Sequence, residues 1–244
     1  MICYFIKFFE REEWADQFLS GHLYLNTLGY FKGLESAATA DRGDPTEAVS
    51  IWLQPHDVVM TLRVPVLHLE TVITEKDLAK QIQVSSTYHE QLYLLCLYAV
   101  HTDNPVIEDG KIRNLDAMQE QLRIDPKCFE MGKFAVVVPA ADFLKQLTSK
   151  LKDLGVAATG RLVNYYDEAS FSGEIAFSDI EFSKQKRFSY QREWRLRVNF
   201  NTATTGAMTI DVGNLPEGSF KLPAGEFHRL NGMRFVPKES TSSP

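Results

Sequence analysis

Apolar and polar positions follow two periods along the chain, and the switches between them mark the elements. Ile2 to Phe9 is an aromatic and β-branched run that reads as a buried strand. From Glu10 to Ser20, Trp14, Phe18 and Leu19 recur at helical spacing, and Glu10, Arg11, Glu12, Glu13 and Asp16 fill the other face. Gly21 supplies the helix stop. His22 to Leu28 alternates with Leu23 and Leu25 on one face, so the chain opens as strand, helix, strand. Gly and Pro break residues 30–47 into a short helix and a polar loop. Val49 to Leu53 and Val58 to Leu69 predict strands joined by a turn at 54–57, with Pro65 placing the second at an edge or a bend.

Tyr88 to Val100 is continuously apolar from Leu92; a buried strand or a buried helix fits, and the aromatic content favours the strand. Leu115 to Leu122 reads as a helix. Phe134 to Pro139 is the cleanest strand, followed by a helix over Ala140–Leu154 with Phe143, Leu144, Leu147, Leu151 and Leu154 in phase, ending at Gly155. Gly160 to Asp167 predicts a strand, and Ile180 to Arg187 is polar and basic. Tyr190 to Phe200 alternates, with Trp194, Leu196 and Val198 on one face and Glu193, Arg195 and Arg197 on the other. Met208 to Val212 is a further strand. Many strands and few helices, without regular alternation, predict an α+β fold. We expect a single domain over residues 1–237, with a mixed, mostly antiparallel sheet and a few flanking helices, and a disordered tail over 238–244.

Composition narrows the classes. The 244 residues are 44% hydrophobic and 24% charged, an ordinary globular balance that can bury a core without staples. A net charge of -6, from 26 basic and 32 acidic residues, argues against a global electrostatic grip on nucleic acid but leaves room for a local basic groove. Cys3, Cys96 and Cys128 are too scattered for a disulfide framework or a zinc cluster. No basic leader precedes the first apolar run, and no stretch of about 18 apolar residues occurs, so the expectation is a cytoplasmic protein outside the membrane. Phosphate-binding and dinucleotide glycine loops, His-Glu-x-x-His and the Gly-x-Ser-x-Gly elbow are absent. The histidines lack metal-ligand spacing and read as surface or structural residues; His22, opening a strand just after a helix stop, is the exception to watch.

Three constellations carry chemistry. In the first, Glu35, Asp41, Arg42, Asp44 and Glu47 lie close in sequence beside Tyr30 and Phe31. This is either a solvated loop with local ion pairs or a site loop in which Asp44 and Glu47 orient Arg42 for a phosphate or carboxylate. The same acids could hold a divalent cation. In the second, Lys184-Gln185-Lys186-Arg187 leads into Tyr190–Arg195, and strand geometry puts Gln191, Glu193, Arg195 and Arg197 on one face. Either this is an exposed sheet face with cross-strand ion pairs, or Glu193 is a carboxylate aimed into an anion-binding cleft. The third, Asn164-Tyr165-Tyr166-Asp167, is an aromatic platform or, by preference, structural packing.

The runs Phe18-Leu19-Ser20-Gly21-His22-Leu23-Tyr24-Leu25 to Phe31, Arg42-Gly43-Asp44-Pro45-Thr46-Glu47 and Tyr190-Gln191-Arg192-Glu193-Trp194-Arg195 resemble uncharacterised bacterial and prophage proteins linked to abortive infection, over roughly residues 1–200. A more distant resemblance is to ADP-ribosyltransferases, which split NAD in a cleft with a late-strand glutamate. There Glu193 would match the catalytic glutamate, Gln191 would complete its Gln-x-Glu pair, and Tyr24 or Tyr30 would stack on the nicotinamide. The first strand departs from that pattern by offering Tyr4 and Lys7 in place of His or Arg, and no Ser-Thr-Ser motif is present.

Three functions follow. The first is an NAD-using transferase or toxin in which NAD is substrate rather than bound cofactor. Arg42, Asp44, Glu47, Lys186 and Arg195 would bind the ligand, and a protein or nucleic acid would be the acceptor. The second is a non-catalytic sensor or interaction module of a phage-defence system, with a phage component as partner. The third is a metal-dependent nuclease built on Glu35, Asp41, Asp44 and Glu47. Oligomeric state is open.

Overall fold

The central sheet is built around strands that are apolar on both faces. In the computed structural model, which describes residues 1–34, 44–109, 111–200 and 206–228, the chain runs β1 (Ile2–Phe9), α1 (Glu12–Leu19), β2 (His22–Thr27), α2 (Leu28–Gly33), β3 (Val49–Leu53), β4 (Met60–Val64), β5 (Leu69–Ile73), β6 (Ile82–Ser85), α3 (Thr87–Glu90) and β7 (Tyr93–His101). It continues through β8 (Ile107–Glu108), β9 (Lys111–Ile112), α4 (Leu115–Gln121), β10 (Phe134–Pro139), α5 (Ala140–Asp153), β11 (Ala157–Leu162), β12 (Asn164–Tyr166) and β13 (Gly173–Glu174). The last strands are β14 (Ser183–Gln185), β15 (Glu193–Asn199), β16 (Met208–Asp211) and β17 (Phe220–Pro223). The tail expected over 238–244 lies outside the described residues.

Strand order in the main sheet is β11-β15-β7-β1-β10-β17, with β2 joining β7 and β16 joining β2. Among the described residues the pairings are antiparallel except β12 with β14. The fold is therefore α+β and mostly antiparallel. No described helix is long and apolar enough to cross a membrane.

The continuous apolar runs are explained by burial on two sides. On one face of the sheet, Phe5 and Phe9 of β1, Leu95, Leu97 and Ala99 of β7 and Trp194, Leu196 and Val198 of β15 meet Ala15 and Phe18 of α1 and Phe143, Leu147 and Leu151 of α5. On the other, Ile6, Tyr98, Val100, Ala135 and Val137 pack with Leu122, Cys128 and Phe227. The helical phases of α1 and α5 aim their apolar stripes at the first of these cores.

Four boundaries differ from the sequence reading. The strand expected over Val58–Leu69 stops at Val64; the chain turns back at Pro65 and returns from Leu69 as β5, which forms a hairpin with β4. Residues 87–90 are a helical turn rather than the start of the next strand, so that His89 points inward, 1% exposed. The stretch expected as a single strand from Gly160 divides at Val163 into β11, which pairs with β15, and β12, which pairs with β14. The stretch 186–191 is a 3₁₀ turn that ends at Arg192 in the left-handed conformation, φ 39, so the strand begins at Glu193 and not at Tyr190.

A buried ionic cluster as the candidate functional site

The register of β15 with β7 decides what Glu193 and Arg195 face. Trp194 lies opposite Leu97 and Leu196 opposite Leu95, on the main core face. Glu193, Arg195 and Arg197 alternate to the other face, opposite Tyr98, Cys96 and Leu94. That face is covered by residues 44–48 and 180–185. The alternation read from the sequence holds, but the face is buried: Glu193 is 7% exposed and Arg195 1%.

Arg195 uses every nitrogen of its guanidinium. Nε donates to Glu193 Oε1 at 2.8 Å, Nη1 to Glu47 Oε2 at 2.9 Å and to the Glu181 carbonyl at 2.7 Å, and Nη2 to Glu193 Oε2 at 3.3 Å and to Glu47 Oε1. Lys184 Nζ donates to Gln191 Oε1 at 2.8 Å and to Glu193 Oε2 at 3.2 Å, and lies 3.7 Å from Glu47 Oε1. The Glu193 backbone N–H donates to the Tyr165 hydroxyl oxygen at 2.9 Å. Two carboxylates and two cations thus neutralise one another out of water, the arrangement that makes burial of charge tolerable.

Glu47 reaches Arg195 because its turn is preformed. The Asp44 carboxylate accepts the Thr46 N–H at 2.8 Å and the Thr46 hydroxyl, and the Glu47 N–H donates to the Asp44 carbonyl at 3.0 Å. Ala48 closes the turn at φ 62, a conformation that a non-glycine residue adopts at a cost, and its carbonyl accepts the Ser86 N–H at 2.8 Å. Asp44 Oδ2 is buried without a hydrogen-bond partner.

A second network abuts the first. Arg197 Nη1 donates to Glu181 Oε1 at 2.8 Å and Nη2 to Thr159 Oγ1 at 2.9 Å. His89 Nε2 lies 2.9 Å from the Phe177 carbonyl, which accepts only, so Nε2 carries hydrogen; Nδ1 lies 2.6 Å from Ser86 Oγ. His89 is also 3.4 Å from Glu181 Oε2, an oxygen with no hydrogen bond of its own.

Glu193 and Glu47 compete for the same cations. Burial pushes both carboxyls up. Arg195 and then Lys184 outweigh it at Glu193 and hold that group well below the usual carboxylate range. At Glu47 burial prevails over the same cations, Asp44 adds like charge, and the group titrates above its usual range. Burial, reinforced by the Glu193 charge, pushes the Cys96 thiol and the Tyr165 hydroxyl far up, so neither ionises at neutral pH.

The signs for stability are opposite. An unfolded glutamate titrates near ~4.3. Glu47, raised in the folded state, contributes stability that is fully present below that value and is lost as pH rises through the folded pKa. Glu193, depressed in the folded state, contributes stability that is present above that value and is lost as pH falls toward the folded pKa. We expect Glu193→Gln to flatten the decline of stability on the acid side of about pH 4, and Glu47→Gln to remove the loss that sets in as pH rises above it. Urea unfolding across the acid and neutral range measures both, and unchanged slopes in both variants would show that the cluster is not closed in solution.

The other residues singled out by sequence are not brought to the cluster. Lys186 is exposed and pairs with Asp167 at 3.5 Å, and Lys184 takes the inward place instead. The 3₁₀ turn reverses the chain between Lys184 and Gln191, a contact that no strand periodicity predicts. Tyr24 and Tyr30 are 53% and 46% exposed. Tyr24 accepts a hydrogen bond from Asn26 Nδ2 and Tyr30 meets Phe31 edge-on, so both rings sit on the surface and not against Glu193. Glu35, Asp41 and Arg42 lie outside the described residues. Of the acids proposed for a metal, Asp44 caps its own turn and Glu47 is clamped by Arg195. Among the described residues no three His, Cys, Asp or Glu side chains are arranged to hold a metal ion. Missed by sequence reasoning were Glu181 and His89, whose only signals were an acid beside a basic run and a histidine at the edge of an apolar run.

No family model matches the chain, and neither a curated protein nor a solved structure matches it.

Proposed function

We propose that this chain is a non-catalytic sensor or interaction module of a prophage or phage-defence system. The observation that carries the reading is the saturation of Glu193. Both oxygens of its carboxylate accept bonds from Arg195, and one also accepts from Lys184, in a space almost closed to water. A glutamate held in this way is a strut between the sheet and the 44–47 turn, not a group waiting for a ribose or an oxocarbenium centre. The link to phage defence rests on the resemblance of the Phe18–Phe31, Arg42–Glu47 and Tyr190–Arg195 runs to abortive-infection proteins.

One observation favours a second reading. Gln191 and Glu193 converge on the same Lys184 ammonium, at 2.8 and 3.2 Å, as a Gln-x-Glu pair acting on one ligand would. If the covering turn opened, that pair could serve an NAD-splitting transferase with Glu193 beside the breaking glycosidic bond.

The two readings part in one experiment. The purified chain and its Glu193→Gln variant are incubated with labelled NAD and a mixture of bacterial protein, DNA and RNA. We expect no nicotinamide release and no label transfer from either. Turnover by the native chain that disappears in the variant overturns the module reading and establishes the transferase.

A further inference from the structure

An extended apolar surface lies away from the ionic cluster, on the hairpin β4–β5. Among the described residues these strands pair only with each other, in the register Met60↔Ile73, Leu62↔Thr71, Val64↔Leu69. Met60, Leu62 and Val64 thus share a face with Leu69 and Ile73. Leu62 and Leu69 are 47% and 48% exposed on that face. Pro65 starts the 3₁₀ turn at the tip, His68 closes it at φ 47, and Val66 and Leu67 project at 90% and 71% exposure. Met60, Val64 and Ile73 are half-buried at its base and turn, and a two-stranded ribbon with an exposed apolar face and open edges is a template for association.

We propose that this ribbon is a self-association arm, which packs against the same ribbon of a second copy of the chain about a twofold axis. Area and charge both support a second copy as the occupant. Fully burying a Val or Leu side chain hides about 60–120 Å² of apolar surface, so the apolar face and tip together offer on the order of 400 Å². That is about half of the ~800 Å² each partner gives a standard interface, and the ribbon backbone with Thr71, which lies opposite Leu62 on the same face, supplies the polar remainder. The strand residues of this face carry no charge: Arg63 and Glu70 alternate to the opposite face, where Arg63 Nε lies 3.1 Å from Glu70 Oε2. On a chain of net charge -6, this neutral patch is where two copies meet without like charges opposed. A lipid surface would call for a basic fringe, and over residues 60–73 Arg63 alone is Lys or Arg and is paired with Glu70. A twofold makes the patch its own partner, so each apolar face covers the other and the contact closes at two copies.

Sedimentation equilibrium of the full chain, from micromolar to sub-millimolar concentration, tests this against the double variant Val66→Asp, Leu67→Asp. Both positions are at the exposed tip, so the fold tolerates the charges, and circular dichroism checks it. A milder Val66→Ser, Leu67→Ser pair covers the case of poor expression. The native chain is expected to approach twice the chain mass and the variants to return to one chain mass, a shift of at least about tenfold in the dissociation constant. A native chain that stays monomeric throughout overturns the proposal, as does a dimer indifferent to both tip variants. Monomers that instead co-sediment with phosphatidylglycerol vesicles would assign the arm to a membrane surface and overturn it too.

Discussion

Arg195→Met is expected to cost about 3–5 kcal/mol of folding stability, a large part of the ~5–15 kcal/mol by which folded domains are stable. The methionine replaces much of the volume of the side chain but none of its charge. Glu47 and Glu193 would remain buried, 1% and 7% exposed, with only Lys184 between them. The Glu181 carbonyl would lose its donor as well. The loss is measured as the displacement of the urea midpoint at neutral pH. Adding Glu47→Gln and Glu193→Gln to Arg195→Met should recover a good part of it, because a buried amide costs far less than a buried unpaired carboxylate. A single variant within ~0.5 kcal/mol of the native chain, the range of ordinary surface substitutions, would mean that the cluster is hydrated and open.

The second large effect is expected at Gly21. Its φ is +90, and a Cβ there would stand 1.7 Å from the Gly213 carbonyl oxygen. The Gly21 carbonyl in turn accepts the Val212 N–H at 3.0 Å, tying the start of β2 to the end of β16. Gly21→Ala combines about 1–2 kcal/mol for the left-handed backbone with ~1–3 kcal/mol for the forced separation, about 2–5 kcal/mol in all. Gly155 is the internal control, since it has φ +64 and open space within 4 Å of where a Cβ would stand. Gly155→Ala should show only the backbone cost of about 1–2 kcal/mol. Thermal unfolding of the two variants side by side separates the contributions, and equal losses would refute the close approach of residues 21 and 213.

The fold class and most elements were legible because they depend on local pattern. The β1 run, the α5 stripe from Phe143 to Leu151 and the alternation of Trp194, Leu196 and Val198 each define a face, and burial in the main core follows. What opposes the polar face of a strand is a tertiary fact. Nothing near Arg195 in sequence says that Glu47, 148 residues away, fills its guanidinium. Lys184 and Lys186 look alike in composition; the 3₁₀ turn at 186–191 sends one inward and leaves the other at the surface. The break at Val163 and the helical turn around His89 were hidden for a related reason, as short apolar runs carry no period long enough to fix their element.

The order of strands in the main sheet has a consequence for how the chain is made. β1 sits between β7 and β10, although it precedes both in the chain. Its nearer neighbour begins at Tyr93 and the farther at Phe134. At ~5–20 residues per second, the last of these emerges roughly 6–25 s after β1 itself. Phe5 and Ile6 gain their β7 partners first, and Phe9, paired with Phe134, waits for β10; all three end with 9% exposure or less. The sheet around β1 is therefore completed only when the far half of the chain is made, and the nascent β1 segment, unpaired until β7 and half-paired until β10, is the stage at which a holding chaperone has most to offer.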